Sequence, residues 1–208
     1  MQTLKYNNSK KCEYDFYQHK PNKCDFCSHD HNCRTCPLEH KLRKDMTTKV
    51  GIIMEEFVEN NIYCKRCNKL SFKRLGNNTP SLDLQCTICK DNLEVKSKCL
   101  SVSTLPDDIT CKGGNYEYFI DNINNKNLNL LVIIYGVNRL NKSICIREIY
   151  WITNSELRTQ ENIKITKNTD STLSSISILN KNRFQKLKFN KLPLISFKTW
   201  IEKLIKQI

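Results

Sequence analysis

Residues 64–96 read CKRCNKLSFKRLGNNTPSLDLQCTICKDNLEVK, and two Cys-x-x-Cys pairs, Cys64/Cys67 and Cys86/Cys89, stand 18 residues apart within them. Pairs at this spacing supply four thiolates to one tetrahedral zinc ion, each pair forming a knuckle at the end of a hairpin. The intervening residues fit that geometry. Ser71–Leu75 and Ser81–Gln85 read as short strands around a Gly76-Asn77-Asn78-Thr79-Pro80 turn, and Asn92–Lys98 alternates with the period of a third strand. A zinc ribbon with a structural zinc ion is therefore expected.

The same strands carry a second pattern. Alternation puts Glu94 and Lys96 on one face of the third strand and Val95 on the other. Asp83 lies three residues before the second knuckle and Glu94 five after it, so both carboxylates can reach one pocket. With the Val95 carbonyl they form a hard oxygen set suited to magnesium or manganese. Such an ion lowers the pKa of a bound water, and Lys96 can orient that water and help deprotonate it. A solvent-facing amphipathic strand shows the same Glu-x-Lys tripeptide, so these residues alone leave both readings open.

The rest of the chain sets bounds. Its 208 residues suffice for one cored domain with an appendage. No apolar run approaches the roughly 18 residues of a membrane span, and no apolar segment follows the basic N-terminus as a secretory signal requires. Twelve cysteines, largely in Cys-x-x-Cys pairs, are read as metal ligands in an intracellular, reducing compartment, cytoplasmic or nuclear. The formal charge is +13; two zinc tetrathiolates of about −2 each would leave about +9. Such a charge favours polyanions, nucleic acid first. The absence of alanine and the abundance of Lys, Asn and Ile suggest an AT-rich coding sequence, which explains part of the excess.

Residues 1–46 are expected to form a cysteine-rich arm without helical or strand period. Cys24, Cys27, Cys33 and Cys36, as C-x2-C-x5-C-x2-C, suit a second, smaller zinc site in which His29, His31 or His40 can replace a thiolate. With so few apolar residues, the arm would draw its stability from the metal. Beyond it, Val50, Ile53, Met54, Phe57 and Val58 recur with helical period, Thr47 or Thr48 can cap that helix, and Glu55, Glu56 and Glu59 lie on it.

Taken together, Tyr63-Cys64-x-x-Cys67, Asp83-x-x-Cys86-x-x-Cys89 and Leu93-Glu94-Val95-Lys96-Ser97-Lys98 carry a resemblance to the PD-(D/E)XK nuclease superfamily. Within it they resemble the DpnI-like catalytic domain of methyl-adenine-dependent restriction endonucleases. The likeness extends upstream to Ile52–Val58 and downstream through Gly114-Asn115-Tyr116 and the stretches Leu128–Tyr135 and Ile144–Ile152, about residues 50–190. It implies an α/β fold with an αβββαβ core, a mixed sheet flanked by helices, and an inserted zinc ribbon. It further implies magnesium- or manganese-dependent hydrolysis of double-stranded DNA, with Asp83, Glu94 and Lys96 catalytic and N6-methyladenine dependence at GATC-like sites. Glu55 would assist the metal. Two departures stand out: Leu82 replaces the customary proline, and the chain is expected to lack the family's C-terminal winged helix while adding the cysteine-rich arm.

Further along, the sequence predicts a polar loop at Ser101–Thr110, a turn at Gly113-Gly114, and a helix over Asn115–Ile123. It then predicts strands at Leu128–Tyr135, apolar enough to be covered on both faces, and at Ile144–Ile152. Residues 154–182, rich in Ser, Thr, Asn and Lys, read as surface loops. Lys164, Lys167, Lys181, Arg183 and Lys186 are candidate phosphate contacts. A last helix, capped by Ser196 and running to Ile208 with Phe197, Trp200, Ile201, Leu204 and Ile208 on one face, completes the expected organisation of arm 1–46, nuclease domain 47–190 and C-terminal helix 191–208. The alternative function is a non-catalytic zinc module that binds nucleic acid or docks on a protein. The sequence does not indicate an oligomeric state.

Overall fold

Pro37 opens the first helix, α1 (Pro37–Asn61), at the position where a missing backbone N–H costs nothing. The computed structural model describes residues 2–6, 10–15, 20–24, 37–75, 82–100, 104–138, 143–169, 171–189 and 194–196. The helix thus begins well before the apolar period at Val50, through a largely polar and basic stretch whose apolar residues Leu38, Leu42 and Met46 recur at every fourth position. At its other end the side-chain amides of Asn60 and Asn61 donate to the carbonyls of Glu56 and Phe57, each at 2.8 Å, satisfying acceptors that the last turn leaves open. Val50, Met54, Phe57 and Val58 are buried.

The described residues fall into two units. In the first, comprising 1–50, 137–145 and 194–208, three strands, β1 (Gln2–Tyr6), β2 (Lys10–Asp15) and β3 (Lys20–Cys24), form an antiparallel meander. The sequence showed no strand period there. The ligand set Cys24, Cys27, Cys33 and Cys36 lies outside the described residues except for the backbone of Cys24, and so do residues 197–208 of the expected terminal helix.

The second unit, 51–136 with 146–193, holds the expected ribbon. Its strands are β4 (Phe72–Arg74), β5 (Leu84–Cys86), β6 (Asn92–Cys99), β7 (Ile109–Asn115), β8 (Leu128–Asn138) and β9 (Ser143–Ile152), with α2 (Tyr116–Asn125) between β7 and β8. After β9 come α3 (Asn154–Thr159), β10 (Ile163–Lys167), β11 (Leu173–Ile178), a 3-10 turn at Lys181–Arg183 and β12 (Gln185–Lys186); β13 (Leu194–Ser196) pairs with the first residues of β9. The main sheet runs β12-β9-β8-β6-β5-β4. It is mixed: β6 and β8 are parallel, while β4–β5 and β5–β6 are antiparallel. A second sheet, β10-β11-β7, is antiparallel.

Between the sheets lies the core. Leu128, Leu130, Val132 and Ile134 of β8 join Phe119 and Ile123 of α2, Ile109 and Cys111 of β7, and the isoleucines of β10 and β11 in one buried cluster. Leu131 and Ile133, on the opposite face of β8, are equally buried. A strand covered on both faces needs the continuous apolar run that β8 has.

Two expectations are corrected here. Gly113 and Gly114 are not a turn but the end of β7. A Cβ at Gly113 would fall 1.9 Å from Ser174 Oγ, whose hydroxyl donates to the Gly114 carbonyl at 3.0 Å. Gly113→Ala should therefore cost about 1–2 kcal/mol by displacing that buried hydroxyl from its acceptor, measured as a lower midpoint of chemical unfolding with unchanged slope.

Asn154–Thr159, Ile163–Lys167 and Leu173–Ile178 are likewise regular elements rather than loops. Thr153 caps α3 in a reciprocal capping box with Glu156, and the alternating isoleucines of β10 and β11 fill the core. The candidate phosphate contacts divide accordingly: Lys181 is buried and pairs with Asp107, whereas Lys164, Lys167, Arg183 and Lys186 are exposed, Lys167 pairing with Glu117 and Lys186 with Glu148.

Candidate active site and zinc centre

The two knuckles are built alike. Cys64 N–H donates to the Lys69 carbonyl at 2.9 Å and Asn68 N–H to the Cys64 carbonyl at 2.8 Å; in the second knuckle Cys86 N–H donates to Asp91 at 2.8 Å and Lys90 N–H to Cys86 at 3.1 Å. Each turn is closed by a left-handed residue directly after its second cysteine, Asn68 (φ 50) and Lys90 (φ 62). These folds bring Cys64 Sγ to 3.4 Å from Cys89 Sγ and Cys67 Sγ to 3.6 Å from Cys86 Sγ.

All four sulfurs lie within 4.8 Å of one another. A tetrahedron with Zn–S bonds of about 2.3 Å has sulfur–sulfur edges of about 3.8 Å, so the set fits zinc. Burial pushes the Cys64 thiol up to about 12. Burial also works against the Cys86 thiolate, but hydrogen bonds from the Ser71 hydroxyl, 3.0 Å away, and from the backbone N–H groups of Cys89 and Ile88 outweigh it and bring that thiol down to about 6. One negative charge is supported by the protein; four need a cation. Ser71, with no signal in the sequence to mark it, touches both Cys86 and Cys67.

The hairpin tied by the second knuckle carries the acidic residues. Leu84 pairs with Leu93 and Gln85 with Asn92, and just before β5 the Asp83 N–H donates to the Leu93 carbonyl at 3.2 Å. The Asp83 carboxylate then accepts from Val95 N–H at 2.7 Å. On β6, the parallel register sets Glu94 beside Leu130 and Lys96 beside Val132, turning both toward the core cluster. Glu94 is 1% exposed. Its Oε1 accepts from Lys96 Nζ, while its Oε2 is buried without a hydrogen-bond partner.

Electrostatics tie a fourth residue to this group. Glu55, on α1, is pushed up to about 7, first by burial and then by the negative charge of Asp83, with Glu94 adding to it and Arg74 and Lys96 opposing. Burial likewise raises Glu94, against the pull of Lys96. Burial alone would depress the Lys96 ammonium, yet the carboxylates of Glu94 and Asp83 outweigh it and hold it above the ordinary lysine range. Arg74, which sequence reasoning passed over, ties β4 to α1 through Glu56 at 3.2 Å and Glu59 at 3.1 Å.

The donors present fit a hard divalent cation. A buried carboxylate oxygen without a partner costs about 1–3 kcal/mol or more, and a proton, a water or a cation relieves it. Among the described residues, however, only the four cysteines form a group of three or more His, Cys, Asp or Glu ligands within 4.8 Å of one another. Glu55, Asp83 and Glu94 do not close to that extent.

The Glu55 shift has a testable sign. Its carboxyl titrates near 4.5 when unperturbed and near 7 in the fold, so the folded state holds the extra proton and loses stability as pH rises between those values. In metal-free buffer, Glu55→Gln should stabilise the protein by about 1–2 kcal/mol at pH 8, after discounting for partial exposure, and by nothing measurable at pH 4. Urea unfolding at the two pH values checks it.

A family model described as "DpnI: Dam-replacing family" matches residues 37–180. The chain belongs to this family. The match spans the four-cysteine cluster, Asp83, Glu94 and Lys96 and stops short of Cys24, Cys27, Cys33 and Cys36. Dam-replacing family membership places the chain among restriction-type nucleases, whose substrate is DNA. No curated protein matches it. No helix among the described residues is long and apolar enough to cross a membrane.

Proposed function

We propose that the chain is a divalent-metal-dependent DNA endonuclease of the PD-(D/E)XK class, hydrolysing phosphodiester bonds in double-stranded DNA. The observation that carries this reading is Glu94: a buried carboxylate with one oxygen on Lys96, the other unsatisfied, beside an Asp83 carboxylate fixed by a backbone N–H. The αβββαβ core would be α1, β4, β5, β6, α2 and β8, with the zinc ribbon inserted across β4–β6 and β7 contributed to the second sheet. Residues 47–190 would form the nuclease domain and 1–46 a separate arm.

In this reading Asp83 and Glu94 hold magnesium or manganese, with Glu55 as a third carboxyl nearby. The ion, when bound, lowers the pKa of the attacking water and stabilises charge on the phosphoryl oxygens. Lys96 directs its ammonium at that water and balances the charge of the two carboxylates. The Val95 N–H orients Asp83. Because Val95 and Glu94 are adjacent on β6, one strand positions both acidic groups. The zinc ion would act structurally, by fixing the hairpin on which they stand.

The second reading, a non-catalytic zinc module that binds nucleic acid or a protein, draws on the looser spacing of the acidic side chains relative to the cysteines. One experiment separates the two. Plasmid DNA, N6-adenine-methylated at GATC or unmethylated, is incubated with the protein with and without magnesium. The nuclease reading expects magnesium-dependent cutting, confined to methylated DNA if the family specificity carries over. DNA binding with no cleavage of either substrate in magnesium or manganese would favour the module.

A further inference from the structure

A cleft of about 350 Å³ lies between residues 61–68 and residues 185–189, within one unit of the fold and near the lower end of small-ligand sites. None of Asp83, Glu94 and Lys96 lines it. One wall carries Tyr63, Lys65 and Asn68 and is tied to the first zinc knuckle by the bonds of Cys64 described above. The opposite wall carries Gln185, Lys188 and Phe189. It is pinned by the pairing of Gln185 with Trp151 and by a 2.9 Å bond from Leu187 N–H to the Ile149 carbonyl.

The chemistry of these walls is specific in kind. Tyr63 is 59% exposed, and the Phe189 ring is backed by Phe57 with centroids 6.2 Å apart. Lys65 Nζ stands 5.5 Å from the centroid of the Trp151 ring. No aspartate or glutamate lines the cleft. The Asn68 and Gln185 amides each offer both donors and an acceptor. Two cations call for an anion, the exposed Tyr63 ring and the half-buried Phe189 ring for a flat ring, and amides for a ring edge bearing donors and acceptors.

We infer that this cleft binds a single nucleotide, with the base against Tyr63 and Phe189 and the phosphate on Lys65 and Lys188. The cleft is too small for a duplex groove, so the nucleotide is unpaired. It comes either as a free mononucleotide or as a residue displaced from a DNA strand. The inference does not depend on cleavage, because aromatic stacking and lysine–phosphate attraction need no catalytic metal.

The test uses the zinc-loaded full chain without added magnesium. Calorimetric titration with dAMP probes the free source. Fluorescence anisotropy on a duplex with a one-nucleotide bulge, against the same duplex fully paired, probes the strand source. Tyr63→Ala and Lys188→Gln change exposed side chains, and near-UV circular dichroism checks their fold. Tighter binding of the bulged duplex, reduced about tenfold in Tyr63→Ala and severalfold in Lys188→Gln, establishes the strand source; dAMP binding lost in both variants establishes the free one. Absence of both dAMP binding and bulge preference, or binding that neither variant moves, overturns the inference.

Discussion

Lys96→Ala is expected to lower magnesium-dependent DNA cleavage at least about a hundredfold, the scale lost when a positioned proton-handling group is removed, while zinc content stays unchanged. The variant removes the side chain that donates to Glu94 Oε1, while Glu94 Oε2 has no hydrogen-bond partner among the described residues. It therefore also strands a buried carboxylate, with a stability loss on the order of 3 kcal/mol. Loss of activity through unfolding must be told apart from loss of chemistry. Assaying Lys96→Ala at a temperature where circular dichroism shows it folded does this. The double variant Glu94→Gln/Lys96→Ala, in which a neutral amide removes the stranded charge, should recover most of the stability. Undiminished cutting by folded Lys96→Ala would remove Lys96 from the mechanism.

Cys86→Ser should have the next largest effect. Cys86 is buried, belongs to the cluster of four sulfurs and ends the strand that Asp83 leads into. Losing it should release the zinc ion and lower stability by several kcal/mol, since metal-binding energy in such ribbons is folding energy. The consequence reaches the acidic residues by a short path. Leu84 and Leu93 lose their fixed register, the bond from Asp83 N–H to the Leu93 carbonyl follows, and the Asp83 carboxylate drifts from Val95 N–H. Cleavage should fall more than about tenfold even at a temperature where circular dichroism shows a folded core. Zinc quantification and cleavage assays on the same sample decide it: a zinc-free, folded variant with full activity would make the ribbon and the acidic hairpin independent.

The ribbon was legible because its chemistry is local. Cysteine spacing and strand alternation place Cys64, Cys67, Cys86, Cys89, Asp83, Glu94 and Lys96 within 33 residues, where short-range rules suffice. The apolar run of β8 was legible for a similar reason. Other elements were written in weaker signals. Thr153-Asn154-Ser155-Glu156 is a capping box, and Ile163, Ile165, Ile176 and Ile178 alternate as strands do, but their Ser- and Lys-rich setting concealed them.

The N-terminal part of α1, residues 37–46, is mostly polar and basic, and its thin i, i+4 row of Leu38, Leu42 and Met46 is a weak helical signal beside Pro37. Gly113 read as a turn because glycine is permissive, whereas its use here is close approach to Ser174. The burial of Lys181 and the contacts of Ser71 with two thiols depend on residues brought together only by the fold, and no sequence pattern announces them.

The central claim is that one hairpin holds two metal sites, zinc at the cysteines and a divalent ion at the carboxylates. Anomalous diffraction from crystals grown with manganese, recorded on both sides of the zinc and manganese edges, tests it most directly. The account predicts a zinc peak among Cys64, Cys67, Cys86 and Cys89 and a manganese peak against Asp83 and Glu94. A zinc peak with ordered Asp83 and Glu94 side chains and no manganese beside them would contradict it.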